Sequence, residues 1–189
     1  MNETGSIKTI PELAHKNTLE KIKDQIRNIP DYPKKGIQFK DITTVLKDKG
    51  SFGFVLDQIT KNYRDKGITK VAAIEARGFI FGGALAASLG AGFVPIRKPG
   101  KLPAEKNRVS YKLEYGEDAI EVHTDAINPD DVILLHDDLL ATGGTSKAAI
   151  QLLEKSFPKN ILLNFIIELD FLKGREYIGN YDITSLIHF

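Results

Sequence analysis

The chain has 189 residues, enough for one domain with a sizeable core, and its 26 basic and 25 acidic residues leave a formal charge of +1. That balance offers no electrostatic case for a nucleic-acid or membrane partner, and the absence of cysteine excludes a disulfide framework and a thiolate metal site. No apolar run reaches the ~18 residues of a membrane helix and Met1 to Ile10 carries no signal-peptide core, so a soluble, cytoplasmic protein is expected.

Leu19, Ile22, Ile26 and Ile29 recur at helical spacing and predict a helix between Lys16 and Asn28. Pro30 and Pro33 stop it and open a turn. Gly36 to Thr43 reads as a loop with a short strand. By themselves, Phe39 there is a core residue and Lys40 a solvated charge. Ser51 is the expected N-cap of a helix carrying Phe52, Val55, Leu56, Ile59 and Tyr63 on one face, ended by Gly67. Val71 to Ile74 is a short buried strand. It leads through Glu75-Ala76-Arg77-Gly78 into a small-residue helix with Phe81, Leu85 and Leu89. An arginine and a glycine after a parallel strand sit where open α/β sheets bind ligands; the plain alternative for Arg77 is an ion pair with Glu75.

A third strand spans Gly92 to Ile96. Beyond it the chain turns basic at Arg97, Lys98, Lys101, Lys106 and Arg108, while Pro99, Gly100 and Pro103 oppose regular structure. A loop of roughly a dozen residues is expected, a length common among lids, and its charge suits a polyphosphate. Tyr111 to Tyr115 and Ile120 to His123 alternate and predict a hairpin across Gly116 to Asp118. Asn128-Pro129-Asp130 makes a turn. Ile161 to Ile167 is an apolar strand, Leu172 to Tyr177 a short helix, and Ile183 to Ile187 a last strand.

The most informative stretch is Val132 to Thr145. Four apolar residues begin it, as in a strand buried on both faces. Asp137 and Asp138 follow, then Ala141-Thr142-Gly143-Gly144-Thr145, then a helical pattern from Ser146 to Lys155. Strand, small-residue loop and helix form an anion site, because glycines admit backbone N–H groups and the helix dipole favours negative charge. No Gly-Lys-Ser/Thr follows, so this is not a Walker A loop. Two carboxylates beside a phosphate cradle suit a sugar phosphate, accepting hydrogen bonds from ribose hydroxyls. The repeated strand–helix order with one inserted hairpin predicts an α/β fold: a mainly parallel central sheet flanked by helices. Right-handed crossovers place the loops after Ile74, Ile96 and Asp138 on one edge.

The acidic pair and its loop resemble the phosphoribosyl pyrophosphate (PRPP) signature of the type I phosphoribosyltransferases. Further stretches are similar to blocks of the adenine phosphoribosyltransferases: Ile29 to Thr43, Glu75 to Gly82, Arg97 to Pro103, Ser110 to Gly116, and Leu172 to Glu176. They run in one register from about Leu19 to the C-terminus. The resemblance implies one domain over 1–189, with an N-terminal hood of about 1–45 and a hairpin lid of about 98–116.

It also implies site residues. Asp137 and Asp138 hold the ribose hydroxyls; Ala141, Thr142, Gly143, Gly144 and Thr145 hold the 5′-phosphate. Arg77, Lys98 and Lys101 neutralise pyrophosphate. Phe39 stacks on adenine with Leu139 opposite, and Gln38 and Lys40 occupy the base-reading stretch. Glu114 matches the acid/base residue. The implied reaction converts adenine and PRPP to AMP and pyrophosphate in purine salvage, in a homodimer. Mg²⁺ is carried mainly by PRPP and water, with no protein ligand assigned. Gln38 stands where an aliphatic residue is usual. So does His136, which reads as a satisfied core histidine, and Glu105-Lys106-Asn107 varies the lid. Two alternatives remain: transfer to another purine base, and a PRPP-sensing regulator without catalysis. The regulator would need a DNA-binding module, and no helix-turn-helix pattern is evident.

Overall fold

Leu19 and Ile22 lie on helix α1 (Ile10–Gln25), and Ile26 follows its last turn; the helix ends before Asn28 because the next residues pair as a ribbon. Strand β1 (Arg27–Pro30) runs antiparallel to β2 (Gln38–Asp41), from Arg27↔Asp41 to Pro30↔Gln38. Arg27 and Asp41 close its end with an ion pair at 3.1 Å. The short helix α2 (Thr43–Leu46) and the longer α3 (Lys49–Tyr63) follow. Asp48, not Ser51, caps α3: its Oδ1 accepts the Ser51 N–H at 2.8 Å, which puts Ser51 inside the first turn. The computed structural model describes residues 10–32, 34–113 and 116–189. The chain forms two compact units, Met1–Phe54 and Val55–Phe189, divided within α3.

The second unit alternates strand and helix: β3 (Lys70–Ile74), α4 (Gly78–Leu89), β4 (Gly92–Ile96), the hairpin β5 (Lys106–Leu113) and β6 (Gly116–His123), β7 (Val132–Leu140), α5 (Gly144–Glu154) and β8 (Asn160–Glu168). A 3₁₀ turn (Asp170–Leu172), α6 (Gly174–Ile178) and β9 (Asp182–His188) complete it. The five-stranded sheet is wholly parallel in the order β4–β3–β7–β8–β9. Its centre is apolar on both faces, with Ile133, Leu134, Leu135, Leu163, Phe165 and Ile167 fully buried. Among the described residues no helix is long and apolar enough to cross a membrane.

Three boundaries differ from the expectation. The ladder with β8 continues through Asp137↔Phe165 to Leu140↔Glu168, so β7 runs past the acidic pair instead of ending before it. Helix α5 starts at Gly144 rather than Ser146. Pairing across the hairpin begins at Lys106↔His123, so the basic loop ends at Glu105, and Lys106, Arg108 and Asp118 are strand residues. In each case a ladder or helix recruits residues whose own propensities are weak.

Candidate active site

The carboxyl ends of β3, β4 and β7 reach the same edge of the sheet, the usual ligand edge of such folds. A cavity of about 240 Å³ opens there, lined by Ile74, Glu75, Ala76, Arg77, Lys98, Asp137, Asp138 and Thr145. Five of the predicted PRPP residues therefore converge on one space. Asp138 is buried and pairs with the Arg77 Nε at 2.5 Å, so the arginine's partner is this carboxylate and not Glu75. Asp137 accepts the Asp138 backbone N–H at 2.9 Å. Burial, then the adjacent Asp138 charge, push the Asp137 carboxyl well above the usual carboxylate range. A hydroxyl or a cation at the cavity would relieve that pressure.

Below the pair, His136 is fully buried, with Nδ1 against Asn164 Oδ1 at 2.9 Å. Asn164 donates on to Thr184, which shares a 2.6 Å hydrogen bond with the Tyr63 hydroxyl. Burial lowers the imidazole to about 4 and keeps it neutral. The expected core histidine is only half satisfied, since Nε2 has no hydrogen-bond partner.

The loop Ala141–Gly143 turns directly into α5, whose first-turn N–H groups point outward without intrahelical partners. Gly143 takes φ +83°, and a Cβ on it would lie 2.7 Å from the Gly174 carbonyl oxygen. A Cβ on Gly174 would in turn collide with the Ala141 carbonyl oxygen. The start of α6 is thus pressed against the back of the Ala141–Gly143 loop and sets its shape. Arg175 anchors α6 there, with Nη2 2.6 Å from Glu168 Oε2 and Nη1 2.7 Å from the Ile183 carbonyl.

The basic loop is clipped to β3. Glu75 accepts the Lys98 backbone N–H at 3.0 Å and Arg97 Nε at 3.3 Å, and it pairs with Lys101. Burial raises this carboxyl, but the bonds from Lys101, Lys98 and Arg97 outweigh it and bring it down to about 2. Lys98 pairs with Asp118. Burial is the largest single influence and opposes the ammonium charge, yet Asp118 and Tyr111 together outweigh it and raise the lysine above its ordinary value.

In the first unit, Gln38 is exposed and its Oε1 accepts the Asn28 Nδ2 at 2.7 Å, so the unusual side chain is tied across the ribbon. Phe39 and Lys40 are half-buried, with Phe39 edge-on to Tyr32 at 5.2 Å between ring centroids. Glu114 lies outside the described residues. Leu139 is half-buried near the end of β7.

The model of the phosphoribosyl transferase domain matches residues 43–178. An adenine phosphoribosyltransferase of Halothermothrix orenii is 56% identical over 166 residues, covering 88% of this chain and 98% of the relative. The chain belongs to the adenine phosphoribosyltransferase family. Solved structures agree. The enzyme of Thermoanaerobacter pseudethanolicus superposes with a TM-score of 0.86 at 51% identity, over 90% of this chain and 99% of that one. That of Giardia lamblia, solved with 9-deazaadenine, gives 0.87 at 44%, over 90% and 97%.

For a member of this family, four residues at the cavity or packed against its loops escaped the sequence reading: Glu75 and Asp118, which hold the cations; Tyr111, which touches Lys98; and Gly174, which shapes the Ala141–Gly143 loop. Glu75, Tyr111 and Gly174 fall in blocks that carry the resemblance, but their roles depend on partners from other elements of the fold. The donors at the cavity fit Mg²⁺ carried by substrate: the carboxylates lining it are Glu75, Asp137 and Asp138, and Glu75 and Asp138 are already paired with cations. Glu168, Asp170 and His188 also bring possible ligand atoms within 4.8 Å of one another, but Glu168 is already engaged by Arg175 and Ser185.

Proposed function

We propose that the chain acts as a purine-salvage pentosyltransferase, joining N9 of adenine to C1 of PRPP and releasing pyrophosphate to give AMP. The observation that carries the reading is the convergence of Arg77, Lys98, Asp137, Asp138 and Thr145 on one cavity at the carboxyl edge of the sheet. Asp137 and Asp138 accept the ribose hydroxyls, which fixes C1 relative to the incoming base. The Ala141–Thr145 backbone and hydroxyls take the 5′-phosphate at the α5 N-terminus. Arg77, Lys98 and Lys101 stabilise the charge that develops on pyrophosphate as the C1–O bond breaks. Bound Mg²⁺, carried mainly by PRPP and water, would add charge neutralisation on the same leaving group. Phe39 and Leu139 keep the base-contact roles of the family pattern, and Gln38 and Lys40 belong to the base-reading stretch. Glu114 holds the imidazole proton that adenine loses as N9 bonds to the sugar. The hairpin and the basic loop exclude water as a lid. The proposed working form is a cytoplasmic homodimer.

The test is an assay of adenine, hypoxanthine and guanine with PRPP and Mg²⁺. Adenine should be preferred by ~10⁴-fold or more in kcat/KM, because a 6-oxo base leaves buried groups unpaired. Comparable values for adenine and hypoxanthine would favour the other-base alternative, and tight DNA binding without turnover would favour the regulator. In the same assay Glu114→Gln should lower single-turnover kcat at least ~10-fold with PRPP affinity nearly unchanged. A wild-type rate would leave the proton to solvent or a backbone group.

A further inference from the structure

Tyr111 and Asp118 face each other across the hairpin, as register partners on β5 and β6. The Tyr111 hydroxyl meets three groups. It donates to Asp118 Oδ2 at 3.3 Å and accepts from Lys98 Nζ at 3.3 Å and from Thr145 Oγ1 at 3.3 Å. A phenol has one proton and two lone pairs, so these contacts use its whole capacity. Lys98 and Thr145 come from different elements, the loop after β4 and the first turn of α5, yet both line the cavity assigned to PRPP. The Lys98 ammonium also lies 5.8 Å from the centroid of the Tyr111 ring. Asp118 is itself oriented, its Oδ1 accepting the Ala119 N–H at 2.8 Å. The tyrosine ring packs against the sheet core, so its hydroxyl is a fixed point rather than a mobile tip.

We propose that Tyr111 is a positioning residue for PRPP, holding the Lys98 ammonium and the Thr145 hydroxyl together at the cavity before substrate arrives. This deepens the reading above and rests on it. Both groups donate to Tyr111 in the free enzyme and both are needed as donors to phosphoryl oxygens. PRPP binding turns them from the phenol to the substrate over a short distance. Their freedom is already restricted, which lowers the ordering cost of binding. Adenine touches neither group, so the effect falls on one substrate.

Steady-state kinetics of Tyr111→Phe, Lys98→Met and the double variant test this. Phe keeps the ring and its packing. The expected result is a ~3–10-fold rise in KM for PRPP in Tyr111→Phe, with kcat and the KM for adenine within about 2-fold of wild type. In the Lys98→Met background the effect of Tyr111→Phe should shrink, because one of the two groups it holds is gone. Unchanged KM for PRPP in Tyr111→Phe, beside a raised one in Lys98→Met, overturns the proposal and leaves the site assignment standing. Equal rises in both KM values also overturn it, marking Tyr111 as structural support only. Unchanged KM for PRPP in Lys98→Met removes the site assignment and this proposal with it.

Discussion

The two strand–loop–helix units at the ligand edge solve the same problem differently. After β7, the Ala141–Gly143 loop is shaped by backbone against backbone: Gly143 and Gly174 nearly touch, and α5 offers its N-terminal N–H groups. After β3 and β4, the cations are held by charge: Arg77 by Asp138, Lys101 by Glu75, Lys98 by Asp118. The first is ready for an anion without rearrangement. The second is already neutralised, so under the proposed function pyrophosphate has to displace internal carboxylates to reach its cations. A preformed cradle and a set of exchangeable ion pairs answer differently to mutation, and three substitutions separate them.

The largest effect is expected at Gly174→Val. The new side chain collides with the Ala141 carbonyl and shifts the loop, and a displacement of about 1 Å can cost ~10²-fold in rate. Loss of kcat/KM for PRPP with a folded protein by circular dichroism is the outcome to look for; near wild-type kinetics would show that the cradle tolerates rearrangement. Asp138→Asn comes next. It removes a charged acceptor worth roughly 1.5–3 kcal/mol, so PRPP affinity by calorimetry should fall ~10–100-fold. Unaltered affinity would make Asp138 a mere counter-ion for Arg77.

The smallest effect is expected at Glu75→Gln, read through pH. The Glu75 carboxyl lies at about 2 in the folded chain against an ordinary 4.5. Its folded value is depressed, so the unfolded chain binds the extra proton between these values and stability rises with pH there. The contribution is complete above about 4.5 and is lost as pH falls toward 2. Melting temperatures should therefore drop less steeply in Glu75→Gln than in wild type below about pH 4.5. Parallel curves would mean that the clip on the basic loop adds nothing to stability.

Much of this was legible in the chain because it is local. An apolar run bounded by small residues specifies a buried strand, two adjacent aspartates share one strand end, and glycines beside a helix start specify an anion loop. Those patterns determined the α/β class and picked out Asp137, Asp138 and Thr145, which the fold brings to one cavity. Boundaries were less legible: β7 extends to Leu140 and β5 back to Lys106 because ladder hydrogen bonds with β8 and β6 outweigh local propensity. Charge partners were not legible at all. Arg77 has Glu75 two residues away, yet it pairs with Asp138, 61 residues away in sequence. Side chains on a strand alternate in direction and its neighbours come from distant segments, so only the assembled sheet decided which carboxylate each cation meets.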